Sequence, residues 1–253
     1  MQLRGAFDGV VAEGQTRSDR GGSSDIAAAL ATDLLREGAR VTLAGRDIEK
    51  TAVAAKAIGD AVRPVALDLS DEGSIQAAAD QVRAAGRLDH LVSVAAERAS
   101  GPVVSVERRA LLAAFDTKVL GPILLAKHFA PMIAEEGSVL FFSGLGAWRP
   151  SPGGVAMAAT NGSVSALASA LAVELAPTRV NAISPGVINT SAWNTAVPDK
   201  HELFQRVAAV TPVLELLPDG FSRARGAPGI PARAGGAVFS SIDSTAAPSG
   251  GSR

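Results

Sequence analysis

The 253-residue chain contains no cysteine, no tyrosine, two tryptophans and three histidines. Without cysteine there are no disulfides, no thiolate nucleophile and no thiolate metal ligand, which fits a cytoplasmic protein. His90, His128 and His201 stand far apart, so no metal site is expected. An excess of either charge is also missing. The 24 Lys and Arg offset 25 Asp and Glu to a net charge of −1, with both signs interspersed, so neither nucleic acid nor a membrane surface is an expected partner. No apolar run approaches the ~20 residues of a spanning helix, and "MQLRGAFDGV" lacks the apolar stretch of a secretory signal. The lack of tyrosine leaves no phenol for any acid–base step.

What is present is apolar and periodic. A hydrophobic content of 47% is ample for a buried core. The runs "ARVTLAG" (39–45), "VRPVALDL" (62–69), "LDHLVSVAA" (88–96), "GSVLFFSG" (137–144) and "TRVNAISPG" (178–186) are short, apolar and bounded by turn residues, as buried strands are. Between them, 25–38, 47–59, 71–86, 106–137 and the alanine-rich stretch 156–175 carry apolar residues at helical spacing, several opening on Asp or Ser caps. Regular alternation predicts an α/β fold, a doubly wound parallel sheet of six to seven strands with helices on both faces, built from residues 1–217. Residues 1–20 form a divergent start offering only "GVVA" as a first strand. Residues 218–253 are rich in Gly, Pro, Ser, Arg and Ala and predict an irregular segment, in which "AVFSSI" is a candidate edge strand. Doubly wound sheets bind ligands at the carboxyl ends of their strands, so chemistry is expected there.

Residues 21 to about 195 resemble the short-chain dehydrogenase/reductase family of single-domain Rossmann enzymes. The pieces that carry the resemblance are "GGSSDIA", "ARVTLAGRD", "ALDLSD", "LDHLVSVAA", "FDTKVLG", "FFSG" and "LAVELAPTRVNAISPGVINT", in that order. The resemblance implies an oxidoreductase with a nicotinamide dinucleotide, a small-molecule substrate and a homodimer or homotetramer. It places cofactor contacts on Gly21, Ser23, Ser24 and Ile26, then Arg46, then Asp68 and Leu69, then Ala95, and finally Pro185, Gly186, Ile188 and Thr190. Gly45 and Arg46 stand where NAD enzymes carry an acid, which suits the extra phosphate of NADP.

The chain also departs from the family pattern. Its spaced glycines fall on Gly21, Asp25 and Ala27. Asp25 either brings a negative charge toward the phosphate position or simply caps the helix, while Ala27 adds one methyl where helix meets strand. In the family a Tyr gives the proton, a Lys lowers its pKa, a Ser holds the carbonyl oxygen and an Asn maintains a water relay. The corresponding catalytic positions here are Met157, Asn161, Ser143 and Lys118. With no tyrosine anywhere, no shift of register supplies the acid. A thioether donates no proton, so Met157 is expected to pack. Ser143 and Asn161 can still orient a polar ligand. Lys118 either reaches the pocket and supplies charge or sits in solvent. Reducing a cationic carbon such as an iminium creates no alkoxide and needs no acid, so such substrates fit the missing phenol. Two readings stand side by side: an NADP-dependent oxidoreductase with a nonstandard acid or none, and a noncatalytic binding or scaffold protein that kept only the fold.

Overall fold

The short apolar runs form strands of one sheet, and the alanine-rich stretches between them form its helices. The computed structural model describes residues 8–12, 25–97, 99–190, 199–210, 215–216, 222–223 and 238–241. Apart from short 3-10 turns, the elements are β1 (Asp8–Ala12), α1 (Asp25–Arg36), β2 (Arg40–Gly45), α2 (Ile48–Ile58), β3 (Arg63–Ala66), α3 (Glu72–Ala85) and β4 (Leu88–Ser93). Then follow α4 (Arg108–Phe115), a π-helical turn (Asp116–Leu120), α5 (Gly121–Phe129), β5 (Ile133–Phe142), α6 (Val155–Glu174) and β6 (Arg179–Ser184). After these come α7 (Lys200–Val210), β7 (Glu215–Leu216), β8 (Ser222–Arg223) and β9 (Val238–Ser241).

The main sheet has seven strands in the order β3-β2-β1-β4-β5-β6-β9. "GVVA" lies in β1 at its centre, paired in parallel with both β2 and β4. The expectation of an all-parallel sheet is corrected at one edge. β9 comes from the segment expected to be irregular, and it runs antiparallel along β6, from Asn181 opposite Ser241 to Ser184 opposite Val238. An antiparallel edge on an otherwise parallel sheet is a common arrangement. β7 and β8 form a separate two-stranded ribbon.

Two cores lie on the two faces, as a doubly wound sheet requires. One packs Ile75, Ala78 and Val82 of α3, Leu125 and Phe129 of α5, and Val164, Ala168 and Leu171 of α6 against Leu91, Val139, Phe141 and Val180 of the strands. The other packs Ala27 and Ala31 of α1 and Ala55 of α2 against Val41 and Leu43. The expected caps are present: Asp47 accepts from the Lys50 amide at 3.1 Å and Asp71 from the Gly73 amide at 2.9 Å.

The single long helix expected over 106–137 is instead three pieces. Pro122 has no amide to donate, and its ring crowds the carbonyl four residues back, that of Lys118. The chain relaxes into a wider turn, in which the Gly121 amide bonds to Asp116 O, five residues back. The helix then ends at Phe129, and β5 begins at Ile133, four residues before the expected start. Pro131 sits in the 3-10 turn between them.

Candidate active site

The order of strands reverses direction at β1, with β2 and β3 on one side and β4, β5 and β6 on the other. Ligands of such sheets lie beyond the carboxyl ends of the strands at this switch point. The loops after β2, β3, β4, β5 and β6 therefore bound the site.

On the β5 side, Ser143 follows the strand directly and its amide continues the ladder to Ile183 O at 2.8 Å. One step on, the Leu145 amide bonds to Pro185 O at 3.0 Å, tying the loop after β5 to the loop that begins with Pro185. The Ser143 side chain is buried and its hydroxyl donates to the backbone carbonyl of Asn161 at 2.8 Å. Asn161 is itself buried on α6, and its side-chain oxygen has no hydrogen-bond partner among the described residues. Gly144 lets this amide come close, since a Cβ there would stand 2.9 Å from Asn161 Nδ2.

Lys118 completes the cluster from the opposite helix. It stands at the middle of the π-helical turn, only 9% exposed, and its ammonium donates to the Ser143 carbonyl at 3.3 Å. No carboxylate among the described residues lies within 4 Å of it. Stripped of water and given no counter-charge, its pKa falls from the ordinary 10.5 to about 8. Lys118 is thus buried against the Ser143 backbone rather than exposed to solvent. The cluster carries one Lys and one Asn, with the Lys on the α4–α5 segment and the Asn on α6, the reverse of the expected family placement. Met157, one turn before Asn161, is 39% exposed, so its expected packing is not observed. No side chain in this cluster other than Lys118 is acidic enough to give up a proton near neutral pH.

On the β2 side, Arg46 lines a cavity of about 480 Å³ with Ser70, Glu97, Arg108, Arg109, Leu112, Ala113, Asp116 and Thr117. Arg108 and Arg109, two consecutive cations at the start of α4, were not legible as site residues. Asp68 is fixed by Ser70, whose amide and hydroxyl both donate to its Oδ1 at 2.9 and 2.7 Å, and by its own amide donating to Ser74 Oγ at 3.0 Å. The side chains of Leu69 and Ala95 are buried in the core, so a ligand would meet only their backbone. Leu69 is also pressed against α5: a Cβ on Gly121 would lie 2.7 Å from Leu69 Cβ and 2.9 Å from its carbonyl oxygen.

Gly21, Ser23 and Ser24 lie outside the described residues. Ile26 packs against the α1–α2 core. Asp25 is the first residue of α1 and is exposed, and Ala27 is fully buried, its methyl accommodated at the helix–sheet contact. Pro185, Ile188 and Thr190 are half-buried and Gly186 is exposed on the loop after β6.

Comparison with known proteins agrees with this architecture. The family described as Enoyl-(Acyl carrier protein) reductase matches residues 21–218. An uncharacterized oxidoreductase of Methylorubrum extorquens is 32% identical over 213 residues, which cover 79% of this chain and 84% of that protein. Among solved structures, a short-chain type dehydrogenase/reductase from Mycobacterium ulcerans superposes with a TM-score of 0.72 at 30% identity, over 82% of this chain and 78% of that one. A small-chain dehydrogenase in complex with NADPH gives a TM-score of 0.65 at 33% identity, over 83% of this chain and 84% of the other. With a family match over most of its length, a doubly wound sheet and a serine at the carboxyl end of β5, the chain belongs to the short-chain dehydrogenase/reductase family of oxidoreductases.

Proposed function

We propose that the protein transfers hydride between NADP(H) and a small organic substrate held over Ser143. The observation that carries this reading is the cavity beside Arg46. A pocket at the carboxyl end of β2 that sets three guanidinium groups, from Arg46, Arg108 and Arg109, against two carboxylates, Glu97 and Asp116, keeps a net positive charge that suits the additional phosphate of NADP better than the bare ribose of NAD. Asp68, held by Ser70, offers its carboxylate to the exocyclic amine of an adenine. A bound nicotinamide supplies the hydride. The chain's own residues supply orientation and charge, from Ser143, Asn161 and Lys118. Solved relatives hold NADPH in one case and NADH in another, which supports a nicotinamide dinucleotide and leaves the choice of NADP to the arginines.

The scaffold alternative draws on Asp25 and Ala27 in place of glycines and on the missing phenol. Ala27 fits its site, fully buried at the helix–sheet contact, which weakens that alternative. Titrating NADPH and NADH against the protein, by fluorescence or thermal shift, separates the two. The expected result is NADPH binding at least tenfold tighter than NADH, with most of the preference lost in Arg46→Ala. Silence with both nucleotides refutes the oxidoreductase reading.

A homodimer or homotetramer is part of the same proposal. Ala159, Gly162, Ala166, Ala170 and Val173 form an exposed, small and apolar stripe along α6, Val173 being 80% exposed. Ala156, at the start of the same helix, packs inside the subunit against Ala99 and Ala114.

A further inference from the structure

Lys118 is a costly group to bury. It is an ammonium with 9% exposure, no counter-ion among the described residues and a single hydrogen bond, to the Ser143 carbonyl at 3.3 Å. Two of its three N–H donors have no protein partner among the described residues. Nearby, beside Gly144, Asn161 Oδ1 is a buried acceptor without a donor among the described residues. Buried polar groups are nearly always satisfied, and a buried charge is tolerated only where something compensates it. The Lys118 carbonyl cannot receive a bond from Pro122, and the π-helical turn that results is the local distortion that aims residue 118 at Ser143 rather than along a regular helix. The unmet donors stand at the Ser143 carbonyl and the unmet acceptor stands beside Gly144, the next residue, and together they form a complement to an oxygen that first accepts a proton and then carries one.

We propose that Lys118 is the proton donor of the reaction, that Asn161 Oδ1 receives the hydroxyl so formed, and that the substrate is therefore a carbonyl compound rather than an iminium. This rests on the proposed NADP(H)-dependent activity. The balance is simple. The carbonyl carbon gains hydride from the reduced nicotinamide, and the C=O π bond breaks toward oxygen. The oxygen takes a proton from the Lys118 ammonium, giving an alcohol, and the amine left behind regains a proton from water. An ammonium stabilises negative charge growing on that oxygen and favours its protonation. The same positive charge repels an iminium, which is already cationic, so Lys118 disfavours the substrate class that the missing phenol suggests. A neutral amine at Lys118 is equally the base for the reverse oxidation. Its lowered pKa, near 8, keeps both forms within reach of neutral pH. Neither α6 between Val155 and Val173 nor residues 143–147 carry a titratable side chain, and Asp116, on the same turn, lines the neighbouring cavity. Glu97, Arg108 and Arg109 line that same neighbouring cavity, and among the described residues Lys118 is the titratable side chain that bonds at Ser143.

The test reads the amine directly. Native protein is trace-labelled with acetic anhydride between pH 6 and 10, with and without saturating NADPH, and Lys118 acetylation is followed by mass spectrometry against the exposed Lys56. NADPH binding is measured on the same samples, so failure of the cofactor reading registers separately as absence of binding. The proposal expects Lys118 to label with a midpoint at least one pH unit below that of Lys56, and to be shielded at least tenfold by NADPH. A Lys118 that never labels in the folded protein is sealed in the core, and one that labels without shielding does not face the cleft. Either result overturns the proposal. Activity provides a second arm, with ethyl acetoacetate and benzaldehyde as carbonyl probes and 3,4-dihydroisoquinolinium as the iminium probe. Lys118→Met is expected to bind NADPH within twofold of the parent, to lose at least 100-fold in carbonyl reduction and to gain on the iminium. Equal carbonyl rates in parent and variant also overturn it.

Discussion

Replacing Lys118 by Met should make the protein more stable, and the gain should vanish at high pH. Burial lowers the Lys118 pKa from 10.5 to about 8, and at about 1.4 kcal/mol per pH unit this corresponds to roughly 3 kcal/mol against the folded state at neutral pH. Methionine has similar length and no charge. It forfeits the bond to the Ser143 carbonyl, worth about 1 kcal/mol, so the expected net gain is about 2 kcal/mol. In a chain of this size that raises the Tm by roughly 4–8 °C. The sign of the pH effect follows from where each state holds its proton. Below pH 8 both folded and unfolded chains are protonated, and the advantage of the variant is constant. Between about 8 and 10.5 the folded parent has released its proton while the unfolded chain retains it, so the parent gains stability as pH rises through that window. The variant has no such group and does not. Urea denaturation of both proteins at pH 7, 8, 9 and 10 reads this as a gap that narrows above pH 8. A variant no more stable than the parent at pH 7, or a gap unchanged up to pH 10, would refute the claim that the ammonium is buried without compensation.

Two glycines make further predictions. Gly121→Ala should destabilise by about 1–3 kcal/mol in urea melts, because the new methyl meets Leu69 Cβ at 2.7 Å and the Leu69 carbonyl oxygen at 2.9 Å. An exposed helical glycine would respond with the opposite sign. Gly144→Ala should leave stability within about 1.5 kcal/mol, since its backbone is extended, yet displace the Asn161 amide, 2.9 Å from the new Cβ. It is expected to lower carbonyl turnover at least tenfold with NADPH affinity unchanged, as measured by steady-state kinetics and nucleotide titration.

Much of the scaffold was legible in the sequence because buried parallel strands and amphipathic helices have distinct periods, and those periods survive whatever chemistry a protein performs. The runs 39–45 and 88–96 fall on β2 and β4, and "AVFSSI" on β9. The direction of β9 was not legible, since an isolated apolar run carries no sign. The break in 106–137 had a signal in Gly121-Pro122, which helical periodicity alone overrides. In the site, residue identities could be assigned but side-chain directions could not. Whether Lys118 faced solvent or Ser143 depended on the π-helical turn, a tertiary outcome of one proline. Met157 was expected to pack and is exposed, because the first turn of α6 stands at the open end of the sheet.

The close approach of Gly121 to Leu69 ties the two ends of the cleft together. Leu69 adjoins Asp68, on the nucleotide side, and Gly121 closes the turn that carries Lys118. A bulkier side chain at either position would push on the turn that aims the amine. Changes that tighten or loosen this contact therefore reach the amine and the nucleotide side in the same stroke, and Arg46, whose cavity is also lined by Ser70, Asp116 and Thr117, stands against the same two segments.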